Sequence, residues 1–215
     1  MDDTKATGTR RKASYAKGME RRKQLLAAAS ELLKENPLDK ISLKDIAATA
    51  GIPVGSAYHF YTNANDVFIE LAQQFSVTLA AAISEPYTGE CTTSWQGLFK
   101  EAVWRAVGIY REKPAYAQLI IGSKAPPEIK LTDRDSDAQV GKLFEEIISR
   151  YFDYSPFPSH DEVFFHSVEI VDLFLTLSVI KHGEITDDMA AEAVIAALAY
   201  LREYMPARLP RVPTS

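Results

Sequence analysis

The chain has 215 residues, 47% of them hydrophobic, enough for a domain of ordinary size plus a smaller one, each with its own apolar core. Its single cysteine, Cys91, excludes an intramolecular disulfide and fits a reducing, cytoplasmic setting; the four histidines (His59, His160, His166, His182) lack metal-type spacing, so neither a metal nor a cofactor is expected. A net charge of −5 argues against a nucleic-acid partner for the chain as a whole, yet residues 1 to 60 hold eleven Lys/Arg against seven Asp/Glu, so +4 lies there and −9 in the remainder.

The basic excess is concentrated further. Lys5, Arg10, Arg11, Lys12, Lys17, Arg21, Arg22 and Lys23 face one acid, Glu20. Such a run is either an arm that meets a phosphate backbone or a solvated tail, and for residues 1 to 17 both readings stand. Arg21, Arg22 and Lys23 open a helix predicted from about Met19 to Glu35, whose stripe of Leu25, Leu26, Ala29, Leu32 and Leu33 keeps helical spacing until Asn36-Pro37 stops it.

The segment from Ile41 to Tyr61, ISLKDIAATAGIPVGSAYHFY, predicts two short helices around a glycine turn. Ser42, with Asp45 three residues on, caps the first. Leu43, Ile46, Ala47 and Ala50 share its inner face, and Gly51 suits a left-handed residue past its end. Pro53 fits the first position of a second helix, Val54 to Tyr58, whose outer face Gly55 and Ser56 leave nearly flat. A flat, small, polar face at the start of a second helix suits the DNA major groove, with Val54, Gly55 and Ser56 toward bases. Ser42, Lys44, Tyr58, His59 and Tyr61 offer donors for phosphates.

At Ile46, Ala47, Ala50, Gly51, Gly55, Ser56, Tyr58, His59 and Phe60 the sequence resembles the N-terminal domain of the tetracycline-repressor (TetR) family of transcriptional regulators. It departs from that pattern where Pro53 replaces a usual serine and Ala64 a usual phosphate-contacting lysine. The resemblance implies an all-α homodimer whose C-terminal helices pair across a two-fold axis. It also implies a ligand cavity lined by the fifth to eighth helices and release from a palindromic operator when a small molecule binds.

Beyond Tyr61, Asn63 caps a helix from Ala64 to about Ile83 carrying Val67, Phe68, Leu71, Phe75 and Leu79, the expected mechanical link between DNA reading and ligand binding. A helix from Trp95 is broken at Pro114, where a short helix to about Ile121 starts; Gly122 to Asp133, with Pro126-Pro127, reads as a loop. Val140, Leu143, Phe144, Ile147, Ile148 and Tyr151 mark the next helix. Ser159 with Glu162 reads as a capping box opening a helix that ends at Gly183, and Thr186 opens the last helix, closed by Pro206. The count is nine helices: an arm (1–17), a helix-turn-helix domain (18–62) and a ligand-binding and dimerisation domain (63–215).

The helix from Ser159 is apolar nearly all round, and the last is rich in alanine, so the two together read as a dimer interface. The longest apolar stretch, Ile170 to Ile180, is too short and too interrupted to span a bilayer, and no membrane partner is expected. His166, Glu169 and Asp172 fall on one face of the apolar helix, either as an interface or internal ion pair, as ligand contacts or as metal ligands. Phe99, Trp104, Tyr110, Tyr116, Phe144, Ile148 and Tyr151 are candidates for the cavity wall that the resemblance implies. An aromatic wall with Glu169 or Asp172 would favour a lipophilic, cationic effector. No phosphate loop, HExxH or nucleophile elbow occurs, so an enzyme is not expected. The expected function is a ligand-released repressor on double-stranded operator DNA. The alternative is a small-molecule-binding or protein-interaction dimer with weakened or lost DNA affinity.

Overall fold

The computed structural model describes residues 3–120 and 127–212, with side chains at 15–120, 127–131 and 134–212. Among these residues the fold is all-helical: α1 (Asp3–Glu35), α2 (Leu43–Thr49), α3 (Val54–Ala57), α4 (Ala64–Ser84), α5 (Trp95–Glu112), α6 (Pro114–Ile120), α7 (Pro127–Tyr151), α8 (His160–His182) and α9 (Asp187–Arg202). Two 3-10 turns, Leu38–Lys40 and Gly89–Thr93, went unseen in the sequence because each is a single turn with no periodicity to read. The chain divides into two compact units, Met1–Leu71 and Ala72–Ser215.

In the first unit, Leu25, Ala29 and Leu33 of α1, Leu43, Ile46 and Ala47 of α2, Ala57 of α3 and Val67, Phe68 and Leu71 of α4 are buried. Burial at this level is what fixes helices as short as α2 and α3, which could not persist alone. The helix α1 begins at Asp3 instead of near Met19. Its early residues lack an apolar stripe, so amphipathic periodicity could not reveal them; the side chains of Lys5, Arg10, Arg11 and Lys12 lie outside the described residues.

The second unit packs α8 against both α7 and α9, with α5 against α7 and α9. Its centre holds Trp95, Leu98, Phe144, Ile147, Phe164, Leu175, Ala193, Ala197 and Leu201. Polar ties close its periphery. Trp95 Nε1 donates to the Pro206 carbonyl at 2.9 Å, and Arg111 donates to the Ile185 carbonyl and pairs with Asp187 at 2.7 Å.

Two local expectations are corrected here. The loop placed over Gly122 to Asp133 is helical from Pro127, because a proline is well suited to a helix start and the following turn buries Ile129; residues 121–126 lie outside the described residues. Ser159 does not cap α8 through its side chain. Its backbone is left-handed at φ 58°, and no side-chain capping hydrogen bond forms, so the Ser159–Glu162 box is absent. By length and hydropathy alone, α4 and α8 are each long enough to cross a bilayer, since both extend beyond the uninterrupted apolar run.

Candidate nucleic-acid interface and effector region

The helix-turn-helix is held by short-range chemistry. Ser42 Oγ accepts from the Asp45 backbone N–H at 3.3 Å, while the Asp45 carboxylate accepts from the Ser42 N–H at 2.9 Å and its hydroxyl at 2.6 Å, a complete capping box. Those bonds to Ser42 hold the Asp45 carboxyl below its usual range. The turn follows at Gly51, φ 64°, and the Ile52 N–H returns to the Ala47 carbonyl at 2.9 Å. Pro53 is extended and stands just outside α3 as its N-cap, one position earlier than the sequence suggests; its carbonyl accepts the Ser56 N–H at 2.8 Å.

The helix α3 is anchored by one side chain, the fully buried Ala57. Around it, Pro53, Gly55, Tyr58 and His59 are exposed, and Val54 and Ser56 are half-buried. A side chain built on Gly55 would meet nothing within 4 Å, and its φ is not positive. Neither packing nor backbone geometry therefore asks for glycine there, and the position leaves an open, flat surface. Lys44 of α2 is exposed as well.

Two of the residues expected to contact DNA make internal contacts in the first unit. Tyr61 is 5% exposed, and its hydroxyl donates to Glu70 at 2.7 Å. Burial, followed by that bond, raises its pKa above the ordinary phenol value. Arg22 donates to the same Glu70 oxygen through Nε at 2.9 Å and Nη2 at 2.7 Å, and Glu70 raises the guanidinium pKa. Tyr61, Arg22 and Glu70 thus tie α1 to the first turns of α4. Glu70 was missed because no sequence pattern links positions 48 residues apart. Arg21, also expected to contact DNA, is half-buried, and so is Ala64.

In the second unit a cavity of about 50 Å³ lies among α4, α5, α7 and α8. Of the expected wall residues, Phe99, Tyr110, Phe144 and Asp172 line it, with Leu79, Ile83, Val171 and Leu175. The rest do other work. Ile148 is plain core, Tyr116 stacks on Phe75 at 4.8 Å, and Tyr151 donates to the Tyr87 carbonyl at 3.0 Å. Trp104 is half-buried on α5. The face proposed for His166, Glu169 and Asp172 separates into three surroundings: His166 meets the Tyr200 hydroxyl at 3.1 Å, Glu169 pairs with Arg134 at 3.5 Å, and only Asp172 reaches the cavity. Asp137, 6% exposed, is a second carboxyl in that wall. It fell inside a stretch with no clear apolar stripe.

One face of α8 and α9 stays uncovered in the single chain. Leu173, Leu177 and Ile180 are 54%, 44% and 60% exposed, and Ile195 of α9 is 59% exposed. Apolar side chains aligned in this way are uncommon on a monomer surface.

An all-α body behind a capped helix-turn-helix defines the class of helix-turn-helix regulators. Comparison with known families places the chain within that class. Residues 25–71 match the model described as bacterial regulatory proteins, tetR family, and residues 93–205 match tetracyclin repressor-like, C-terminal domain. The chain belongs to the TetR family and is a DNA-binding transcriptional regulator. Among solved structures it is similar to a TetR-family transcriptional regulator from Streptomyces coelicolor, at 22% identity and TM-score 0.69 over 87% of this chain and 99% of that one. A TetR transcriptional regulator from Rhodococcus sp. RHA1 aligns at 17% identity and TM-score 0.62, over 86% and 97% respectively. Likeness at these identities carries the fold. No curated protein matches the chain.

Proposed function

We propose that the chain is a cytoplasmic homodimeric repressor that binds a palindromic operator and leaves it when a small molecule occupies the second unit. The observation that carries this reading is the outer face of α3: Gly55 lies exposed between the half-buried Val54 and Ser56 on a helix whose one buried side chain is Ala57, with no packing reason for the glycine. Val54 and Ser56 read bases, Gly55 lets the backbone approach them, and Pro53, Lys44, Tyr58 and His59 flank them, the last three as phosphate donors. The capping hydroxyl of Ser42 is exposed and can turn its proton from the Asp45 carboxylate to a phosphate while still accepting the Asp45 N–H. Arg21 and Arg22 extend the basic surface, Arg22 at the cost of its Glu70 pair; Tyr61 serves as a structural tie.

The uncovered face of Leu173, Leu177, Ile180 and Ile195 fits a second copy, giving a dimer through α8 and α9. Two recognition helices related by a two-fold axis then read half-sites about one DNA turn apart. The effector site is the cavity between Phe99, Tyr110, Phe144 and Asp172. At about 50 Å³ it holds little more than water. A drug-sized ligand needs roughly 300 Å³ or more, so binding must open it and thereby bias one arrangement of the helices over another. Selection of genomic fragments with the purified protein tests the reading. Recovery of inverted repeats that are released by a small molecule supports it, and recovery without sequence preference contradicts it.

A further inference from the structure

Where α7 meets the start of α8, Glu145 of α7 converges with the adjacent His160 and Asp161 of α8 as three potential metal ligands. Both Glu145 carboxylate oxygens lie against His160 Nδ1, at 2.8 and 2.9 Å, and an Asp161 oxygen stands 4.0 Å from the same nitrogen. One ligating atom from each residue lies within 4.8 Å of the others. An ordinary histidine–carboxylate pair needs one oxygen. Here both Glu145 oxygens meet the imidazole nitrogen and an Asp161 oxygen stands just beyond them, leaving between the three side chains a position where a divalent cation can sit.

The surroundings hold this arrangement in place. Four residues before Glu145, on the same side of α7, a Cβ on Gly141 would come within 2.9 Å of the Phe165 backbone nitrogen; glycine therefore allows α7 and α8 to touch through their backbones. Ser159, the one described non-glycine residue with positive φ, turns the chain so that His160 opens α8. The Tyr154 hydroxyl is sealed from water. It lies beside the Glu145 carboxylate. A hydroxyl closed off from water beside a carboxylate is the type of group that orients a metal ligand from the second layer. On the outer side, Glu145 and Asp161 border an open surface concavity through which an ion can enter, shared with Lys142, Glu146, Ser149 and Arg150.

We propose that Glu145, His160 and Asp161 form a divalent metal site that pins the end of α7 to the first turn of α8, with zinc the best-matched ion. One imidazole nitrogen and two carboxylates suit a borderline first-row cation better than calcium or magnesium, which take oxygen ligands alone. At metal–ligand distances of about 2.0–2.2 Å, tetrahedral ligand atoms stand roughly 3.3 Å apart. The Glu145–His160 contact would open by about half an ångström and Asp161 would close by somewhat more, movements within reach of side-chain rotation. Binding displaces the proton that Nδ1 shares with Glu145, which leaves to solvent or moves to Nε2, and the fourth position stays open to water. The site is separate from the effector cavity and does not depend on the repressor reading.

Titration calorimetry of the full, chelator-stripped chain with zinc chloride tests the proposal, alongside melting curves with and without the ion. One zinc per chain is expected, with a melting temperature that rises with zinc. His160→Ala and Asp161→Asn each weaken binding at least tenfold, and Tyr154→Phe weakens it by about tenfold through its hold on Glu145. His166→Ala and His182→Ala leave it unchanged. Asp161 is exposed, so its variant keeps the fold and the test stands even where His160→Ala does not. Absence of zinc binding by the unaltered chain, or equal binding by the Asp161→Asn variant, overturns the site.

Discussion

The two units differ in the range over which their determining contacts act. In the first, nearly every decisive feature spans a few residues: Ser42 with Asp45, Gly51 at its turn, Pro53 before α3, Asn63 accepting from the Asp66 N–H at 3.2 Å. In the second, the decisive contacts are remote. Trp95 bonds to Pro206, Arg111 reaches Asp187, and His160 meets Glu145. A local code can be read from a string of letters; a remote one needs the fold.

Substitutions can sharpen or break this contrast. The largest effect is expected for Trp95→Ala, which empties a fully buried site and removes the bond to Pro206. A loss of about 3–5 kcal/mol in urea unfolding is predicted; a loss below about 1 kcal/mol would show that remote contacts do not dominate the second unit. Gly51→Val is next. A β-branched residue at φ 64° costs about 1–3 kcal/mol and re-aims α3, so operator binding should fall together with stability.

Alkaline unfolding probes the second unit through Tyr87, whose hydroxyl donates to the Ile83 carbonyl at 2.8 Å. Burial pushes its pKa up to about 12 from 10.0. The neutral phenol is favoured in the folded state, so its contribution is complete below pH 10 and declines as pH rises from there toward 12, by at most about 1.4 kcal/mol per pH unit. Tyr87→Phe should flatten the stability profile over that window, measured by chemical denaturation at each pH; an unchanged profile would remove Tyr87 as its source.

The smallest effects come from two tyrosines of one motif. Tyr61→Phe removes a buried donor to Glu70 and is expected to cost about 1 kcal/mol of stability with little change in DNA affinity. Tyr58→Phe, at a 50% exposed site, should leave stability alone and weaken binding to every DNA sequence about fivefold. An exchange of these two outcomes would reverse the division between tie and contact.

How much of this was legible follows the same line. The helix-turn-helix could be read because capping, a left-handed glycine and an apolar face all act within one turn. The apolar stripes of α4, α5, α7 and α9 were visible for the same reason. The role of Tyr61 was not, since its aromatic-polar character suits a phosphate and a buried carboxylate equally; only Glu70, nine residues on across the turn into α4, decides it. Ser159 followed by Glu162 has the letters of a capping box, but the Ser159 backbone is left-handed, and letters do not report φ. Of the expected cavity wall, Ile148 is core and Trp104, Tyr116 and Tyr151 are half-buried away from the cavity, because an aromatic on a helical face looks the same whether a void or a neighbour lies beyond it. The convergence of Glu145 on His160 was out of reach: fifteen positions apart, they meet through the close approach at Gly141 and the turn at Ser159.

The central claim is that the open face of α3 reads base sequence while its flanks hold the backbone. Binding of the Val54→Ala and Ser56→Ala variants to a selected operator and to random duplex of equal length, each across a salt series, tests it most directly. Loss on the operator alone, by about 1–3 kcal/mol per lost base contact, with random-DNA affinity and salt slope unchanged, is the predicted result. Equal loss on both DNAs would contradict it.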